Sequence, residues 1–476
     1  MVSREARRRK VLVAGLLALV GLLVSAPPAA AVWQPRKVAG VALHPWRLGT
    51  RSWAPLWPLR NTALRDRTFR TLGSAGARHA RVDLQWSEVE PHPPLLAGTA
   101  PLHDWGEFDA TVLSARAHHV RLEPVVSFTP SWANGGAGPF AYPTDPARFE
   151  EFMTAAMRRY PDIPAWEIWN EPNTATFSPP KPDPAKFVAM LRAAYRARLA
   201  AGARAKLITG GVAPAEDGSF SPFAEGIARL GAFRYADALG VHPYSAQRAD
   251  EDGSAFLRLP KLRSQISRLA GRPVNLWVTE YGYPVYPKHS DYGPPADERG
   301  QAIRLGRAFA LAAGWPWLER LTWYGFRDDC SAGGHPDCRF GLLRADFSAK
   351  RSWRTYLDVL RGKLPLLDTR ISIHRKSKLK GRRKTRRKRV HRLFGRVIMP
   401  GTDPARGSVR VVAKRRYRKR TRRRRIRATL AGGRYRVSLG RLRPGRWRFK
   451  AKFEGNSRYA PVTSRSLRLR VRKPRR

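Results

Sequence analysis

Two glutamates close short strand-like runs in this sequence. The run Trp-Glu-Ile-Trp-Asn-Glu-Pro-Asn at 166–173 alternates as a strand and stops at Pro172, which cannot donate to a ladder, so Glu171 sits at the strand's carboxyl end. The run Leu-Trp-Val-Thr-Glu-Tyr-Gly-Tyr-Pro at 276–284 places Glu280 in the same way. One such glutamate is an ordinary surface carboxylate. Two of them brought together are different, because neighbouring carboxylates raise one another's proton affinity and one can stay protonated near neutrality. Such a pair supplies a proton donor and an ionised nucleophile or base at a single centre.

The elements that must position this pair are read from the alternation of patterns. Strands are expected at 38–44, 79–86, 121–128, 165–171, 206–213, 238–244, 275–283 and 320–326, each a short β-branched or aromatic run bounded by Gly, Pro or polar residues. Helical spacing fills the gaps, most clearly at 146–160, 183–200 and 302–313, where the first carries Phe149, Phe152, Met153, Ala156 and Met157 on one face. Eight β–α repeats over residues 32–362 predict an α/β fold, a (β/α)8 TIM barrel. The alternative is a doubly wound open sheet, but no strand leads into a Gly-rich phosphate loop, and Gly210-Gly211 is a lone pair. In a closed barrel the fourth and seventh strands face each other across the mouth, and Glu171 and Glu280 both lie on its carboxyl-end rim.

At these residues the sequence resembles the clan A glycoside hydrolases, most closely families 5 and 39, over roughly residues 38–362. The resemblance is carried by Asn170-Glu-Pro on the fourth strand and Thr279-Glu-Tyr-Gly on the seventh. Arg81 on the second strand, Ser-Phe-Thr-Pro-Ser-Trp at 127–132, His242-Pro-Tyr244 and Trp323 on the eighth strand agree with it. The histidine that family 5 carries on its third strand is absent. The resemblance implies a retaining O-glycosyl hydrolase with Glu171 as acid and base and Glu280 as nucleophile, their carboxyls about 5–5.5 Å apart rather than the ~6.5–9.5 Å of an inverting pair. It also implies that Arg81 with Tyr244 or Tyr281 keeps Glu280 ionised, that Asn170 donates to the 2-hydroxyl of the sugar, that His242 tunes or orients Glu171, and that Trp323 floors the sugar site. Trp132 and His44 are further candidates to line the pocket. Glu167, on the strand face of Glu171, reads as an interior structural group, and Glu88 and Glu90 read as rim residues. No metal or organic cofactor is implied. The competing reading is a carbohydrate- or surface-binding protein that uses the barrel as a scaffold.

Fourteen of the 15 tryptophans precede residue 368. Their faces stack on sugar rings while their polar edges stay wet, and the Trp-rich segment 47–59 is the best candidate for a cleft wall.

Length and charge frame the rest. The chain has 476 residues, 91 Lys and Arg, 36 Asp and Glu, and 42% hydrophobic residues, enough for two or three domains and a sizeable core. Residues 1–31 carry a basic stretch, a mostly apolar run and an Ala-Ala-Ala cleavage pattern, which predicts a secretory signal peptide rather than a membrane anchor. An extracellular or cell-wall location follows, and with it a disulfide between Cys330 and Cys338 rather than a metal site. No later stretch is apolar enough to span a bilayer.

Residues 371–476 hold 42 of the basic residues but only two acids, Asp403 and Glu454. Residues 363–392 are expected to be a linker and weakly ordered basic arm. Residues 393–476 are expected to be a small all-β sandwich-like domain, from alternating runs near 409–412, 435–439, 447–453 and 467–471, similar to bacterial immunoglobulin-like repeats but rich in arginine. A charge this lopsided implies an anionic partner outside the cell, a wall polymer or acidic matrix; the export signal disfavours nucleic acid.

Overall fold

The computed structural model describes residues 38–43, 62–96, 99, 101–215, 218–220, 222–290, 292–328, 335–380, 388–401, 407–417 and 420–472. The signal segment, His44, the whole 47–59 segment and Cys330 lie outside the described residues. Eight strands, β1 (Ala39–Leu43), β2 (His79–Gln85), β3 (Arg121–Ser127), β4 (Ala165–Ile168), β5 (Lys206–Thr209), β6 (Ala238–Val241), β7 (Asn275–Tyr281) and β8 (Leu318–Tyr324), pair in chain order. They run parallel and close through β1 against β8. A helix follows each: α1 (Thr62–Ala75), α2 (Gly106–Ala117), α3 (Pro146–Arg159), α4 (Pro184–Ala200), α5 (Phe223–Arg229), α6 (Ala255–Leu269), α7 (Glu298–Ala312) and α8 (Arg351–Leu360).

Local chemistry explains the helix starts. Asp145 and Asp183 cap α3 and α4 by accepting backbone N–H bonds, with proline at the first helical position of each. Asp297 caps α7 through Gly300, so that helix begins four residues earlier than its apolar spacing predicts. The predicted stripe of α3 is buried against the barrel. Burial of each large apolar side chain in it contributes about 1.5–3 kcal/mol, and trimming Phe152 to alanine would cost about 3–5 kcal/mol.

The barrel interior is polar at its lower floor. Arg320 of β8 and His79 of β2 both meet Glu123 of β3, at 2.6 and 3.0 Å, all three buried. Two residues further along β2, Arg81 points the same way and opens the next floor.

Beyond α8 the chain builds two antiparallel sheets. One contains β9 (Arg370–Ile371), β10 (His374–Lys380), β11 (Lys388–Ile398) and β14 (Arg434–Gly440); the other contains β12 (Gly407–Tyr417), β13 (Arg420–Leu430), β15 (Gly445–Phe453), β16 (Val462–Thr463) and β17 (Leu467–Val471). Residues 374–380 and 388–392 are therefore strands, not the weakly ordered arm expected from their charge. The reason is a hidden alternation: His391, Leu393 and Val397 are buried while Arg392, Phe394 and Arg396 between them are exposed. β13 was likewise missed because only Ala428 and Leu430, at its end, are buried.

The sheets dock on the barrel. Arg458 donates to the carbonyls of Ala310 and Leu311 in the last turn of α7, at 3.3 and 2.8 Å. Trp315 donates to Gly401 O at 2.8 Å.

Candidate active site

The chain leaves β4 through a kink. Trp169 and Glu171 have φ of +71° and +40°, left-handed values that cost a non-glycine residue about 1–3 kcal/mol each. Trp169 N–H still bonds Val126 O of β3, and the Glu171 carbonyl accepts the Thr174 N–H, so both sides of the kink are tied down. The Glu171 side chain ends 21% exposed, whereas that of Glu280 is 9% exposed.

Arg81 organises the floor. Its guanidinium donates to Glu167 Oε2 at 2.5 Å, Glu280 Oε1 at 2.7 Å and Asn170 Oδ1 at 3.0 Å. Burial opposes its charge, but the carboxylates of Glu167 and Glu280 outweigh that and raise its proton affinity, so it is a fixed cation. The other Glu280 oxygen accepts from Tyr244 Oη at 3.1 Å. With a guanidinium and a phenol as donors, Glu280 is held as a carboxylate. Asn170, its oxygen taken by Arg81, keeps its amide nitrogen as the donor.

His242 connects the two glutamates. Its Nδ1 lies 2.8 Å from Glu171 Oε1 and 3.8 Å from Glu280 Oε2, and its Nε2 lies 3.1 Å from Thr279 Oγ1. Thr279 donates its hydroxyl proton to Glu167 Oε1 at 3.0 Å, so towards His242 it accepts. His242 therefore carries a proton on Nε2. When the ring is neutral, Nδ1 is a bare acceptor facing Glu171, and the Glu171 carboxyl must be the donor. The hydrogen-bond pattern thus provides a place for a protonated Glu171 next to an ionised Glu280. A carboxylate oxygen from each glutamate and a His242 nitrogen all lie within 4.8 Å of one another. The same three groups have the spacing of a metal's ligands, but the Arg81 cation against Glu280 opposes a second positive charge there.

Solved structures share this architecture. A family 39 glycoside hydrolase from Bacteroides cellulosilyticus WH2 aligns over 85% of this chain and 81% of its own, at 18% identity and a TM-score of 0.54. A family 5 subfamily 18 protein from Streptomyces cattleya, in complex with Manb1-4GlcNAc, aligns over 68% and 80%, at 16% identity and a TM-score of 0.51. The fold shared with these glycoside hydrolases is the closed (β/α)8 barrel. No protein-family model and no curated protein sequence matches the chain.

Within this barrel two expected residues point elsewhere. Tyr281 packs on Phe256 of α6 and on Trp323, with centroids 5.1 and 6.0 Å away. Trp323 is 1% exposed and spends its Nε1–H on Phe340 O. Alternation along β8 puts Thr322 and Tyr324 on the opposite face, so the aromatic at the cavity is Tyr324, against Tyr244, Tyr292 and Phe340. Trp323 cannot floor a sugar, and Tyr244 rather than Tyr281 holds Glu280. Trp132 stays partly exposed on the loop after β3 and donates to Glu90 O at 2.9 Å.

Residues missed in the sequence are those whose roles depend on irregular backbone. Thr279 and Glu280 are consecutive, and alternation would send them to opposite faces, yet both approach His242; the β7–β8 register shifts between Val278 and Tyr281. Gly211 donates its N–H to Glu167 Oε1 at 2.9 Å, so Glu167 is part of the site's support. Glu90 is no open rim group: it is 2% exposed, bonded to Trp86 Nε1 at 2.7 Å and 2.8 Å from His103 Nε2.

Proposed function

We propose that this chain is a secreted, retaining glycoside hydrolase that cleaves O-glycosidic bonds of a polysaccharide or oligosaccharide by double displacement. The observation that carries the reading is the approach of Glu171, Glu280 and His242 within 4.8 Å. That spacing supports the close pair of a retaining enzyme. In the first step Glu280 attacks the anomeric carbon while Glu171 gives its proton to the departing oxygen, and a glycosyl ester forms on Glu280. Glu171, now ionised, takes a proton from water, whose oxygen attacks the same carbon and frees Glu280. Arg81 and Tyr244 hold the nucleophile ionised, His242 holds the proton at Glu171, and Asn170 donates to the sugar's 2-hydroxyl.

Export rests on the signal in residues 1–31. It accords with a disulfide between Cys330 and Cys338: Cys338 is buried, and no described cysteine is a free thiol. The basic C-terminal domain, read as immunoglobulin-like, tethers the barrel to an anionic wall polymer or matrix.

A glycan-panel hydrolysis assay tests the reading, with product anomers followed by NMR. Retention of configuration is expected, and Glu171→Gln and Glu280→Gln should each lower turnover by about a thousandfold or more. Unchanged turnover in either variant rejects the assignment.

A further inference from the structure

The sheet that contains β12, β13 and β15 has two unlike faces. Val409, Val411 and Ala413 of β12 and Phe449, Ala451 and Phe453 of β15 are buried. The alternate residues face solvent, and nearly all are cations. Lys414 stands directly between Arg423 of β13 and Arg448 of β15, and Arg448 stands opposite Arg468 of β17. One step along, Arg416, Arg446 and Arg470 repeat the row. All of these side chains are exposed. Neighbouring strands lie about 4.8 Å apart and successive same-face residues about 6.8 Å apart, so the face is a lattice of positive charge. Like charges directly opposite one another destabilise a sheet.

Two ordinary explanations fail on position. Charged edge strands prevent unwanted pairing, and β13 is an edge. But β12 lies between β13 and β15, and β15 pairs on both sides, yet both carry the same ladder. Among the described residues internal neutralisation fails as well. Asp403 lies outside the described residues, and Glu454 is engaged by Arg410 and Lys452, at 3.3 and 2.7 Å, two pairs further along the face.

We propose that this face is a docking plate for an acidic polysaccharide. The proposal rests on the reading of the basic domain as a tether and assigns it a surface and a ligand chemistry. A polyuronate presents a carboxylate on each sugar, and arginine's planar fork matches carboxylate bidentately. Nucleic acid is a poorer fit: alternation puts Tyr417, Trp447 and Phe449 on the other face, so no ring on the plate can stack on a base. The plate belongs to the same chain as a glycoside hydrolase fold, and a glycan held on it is kept at high effective concentration near the barrel.

The test uses the full chain with alginate, neutral dextran, double-stranded DNA and phosphatidylserine-containing vesicles as probes, between about 50 and 400 mM salt. Alginate should bind, and log affinity should fall linearly with log salt. The double variant Lys414→Glu with Arg448→Glu should weaken alginate binding about tenfold or more, whereas Arg192→Glu on α4 should leave it unchanged. Lys414→Glu alone places a carboxylate between Arg423 and Arg448 and should raise the melting temperature at low salt, which separates lost binding from lost folding. If wild-type chain binds alginate and the double variant binds it equally well, the plate is wrong and the tether reading stands. If wild-type chain binds no polyanion, the tether reading falls too. Tighter binding to DNA or vesicles than to alginate at equal charge concentration overturns the acidic-glycan assignment.

Discussion

His242 occupies the space that a side chain at Gly211 would need: a Cβ there would lie 2.0 Å from His242 Nε2. Gly211→Ala should therefore displace the imidazole from both Glu171 and Thr279. The expected result is a kcat loss of about a hundredfold or more with the fold retained, checked by single-turnover kinetics beside a thermal melt.

Thr279 fixes which nitrogen of His242 carries the proton. In Thr279→Val the ring loses its acceptor at Nε2 and is free to place the proton on Nδ1, facing Glu171. That arrangement turns a donor rather than an acceptor towards Glu171, so kcat should fall about 10–100-fold with KM little changed. Thr279→Ser keeps the hydroxyl and should restore kcat. An unchanged kcat in the valine variant would show that the tautomer has no part in turnover.

Arg81 neutralises two buried carboxylates at once. Arg81→Met should cost about 3–5 kcal/mol of stability, because Glu167 and Glu280 are left buried without a counter-charge. Adding Glu167→Gln should recover part of the stability but not the turnover, since Glu280 still lacks its cation. Denaturant melts and kinetics on the same two variants separate these effects.

Glu90 makes stability depend on pH. Burial pushes its carboxyl up to about 7; the Trp86 N–H and Arg148 of α3 oppose this and Glu151 reinforces it. His103, across from it, is pushed down by burial and by Arg159, so it is a weak source of compensating charge. The folded chain holds the Glu90 proton up to about pH 7, the unfolded chain only to about 4.5. This group's contribution is thus fullest below about pH 4.5 and is lost as pH rises towards 7, by up to about 3 kcal/mol. Glu90→Gln should flatten that slope in urea melts at pH 5 and pH 8; an unchanged slope would assign it to other groups.

Arg458 couples the β domain to α7. Arg458→Ala removes the donor that the Ala310 and Leu311 carbonyls receive from the β domain, although Leu311 O keeps the Gly314 N–H, and should cost about 1–3 kcal/mol at this contact. Faster proteolysis within 361–368, where Leu366 is exposed, would report it.

The barrel was legible because parallel strands buried on both faces read as short apolar runs separated by helical spacing, and all eight were found near their observed positions. Glu171 and Glu280 were legible because Pro172 and Pro284 mark where those runs stop. Trp323 was misjudged because a motif gives a residue's place along a strand but not the face it takes, and Tyr324, one residue later, holds the cavity side. The roles of Thr279 and Gly211 lay in a register shift and a close approach, neither of which has a signature in residue type. In the C-terminal sheets the charge run at 374–392 hid the inward turn of His391, and the exposed Phe394 and Ile398 blurred the alternation that follows it.

The bond from Arg458 into α7, with Trp315 fastened to Gly401, has a mechanical consequence. A flexible leash would let the barrel sweep freely around its point of attachment. Here the joint behaves as a bracket, so under the tethering proposed above a barrel held through the basic face keeps one heading, and fibres lying in other directions are reached only by letting go.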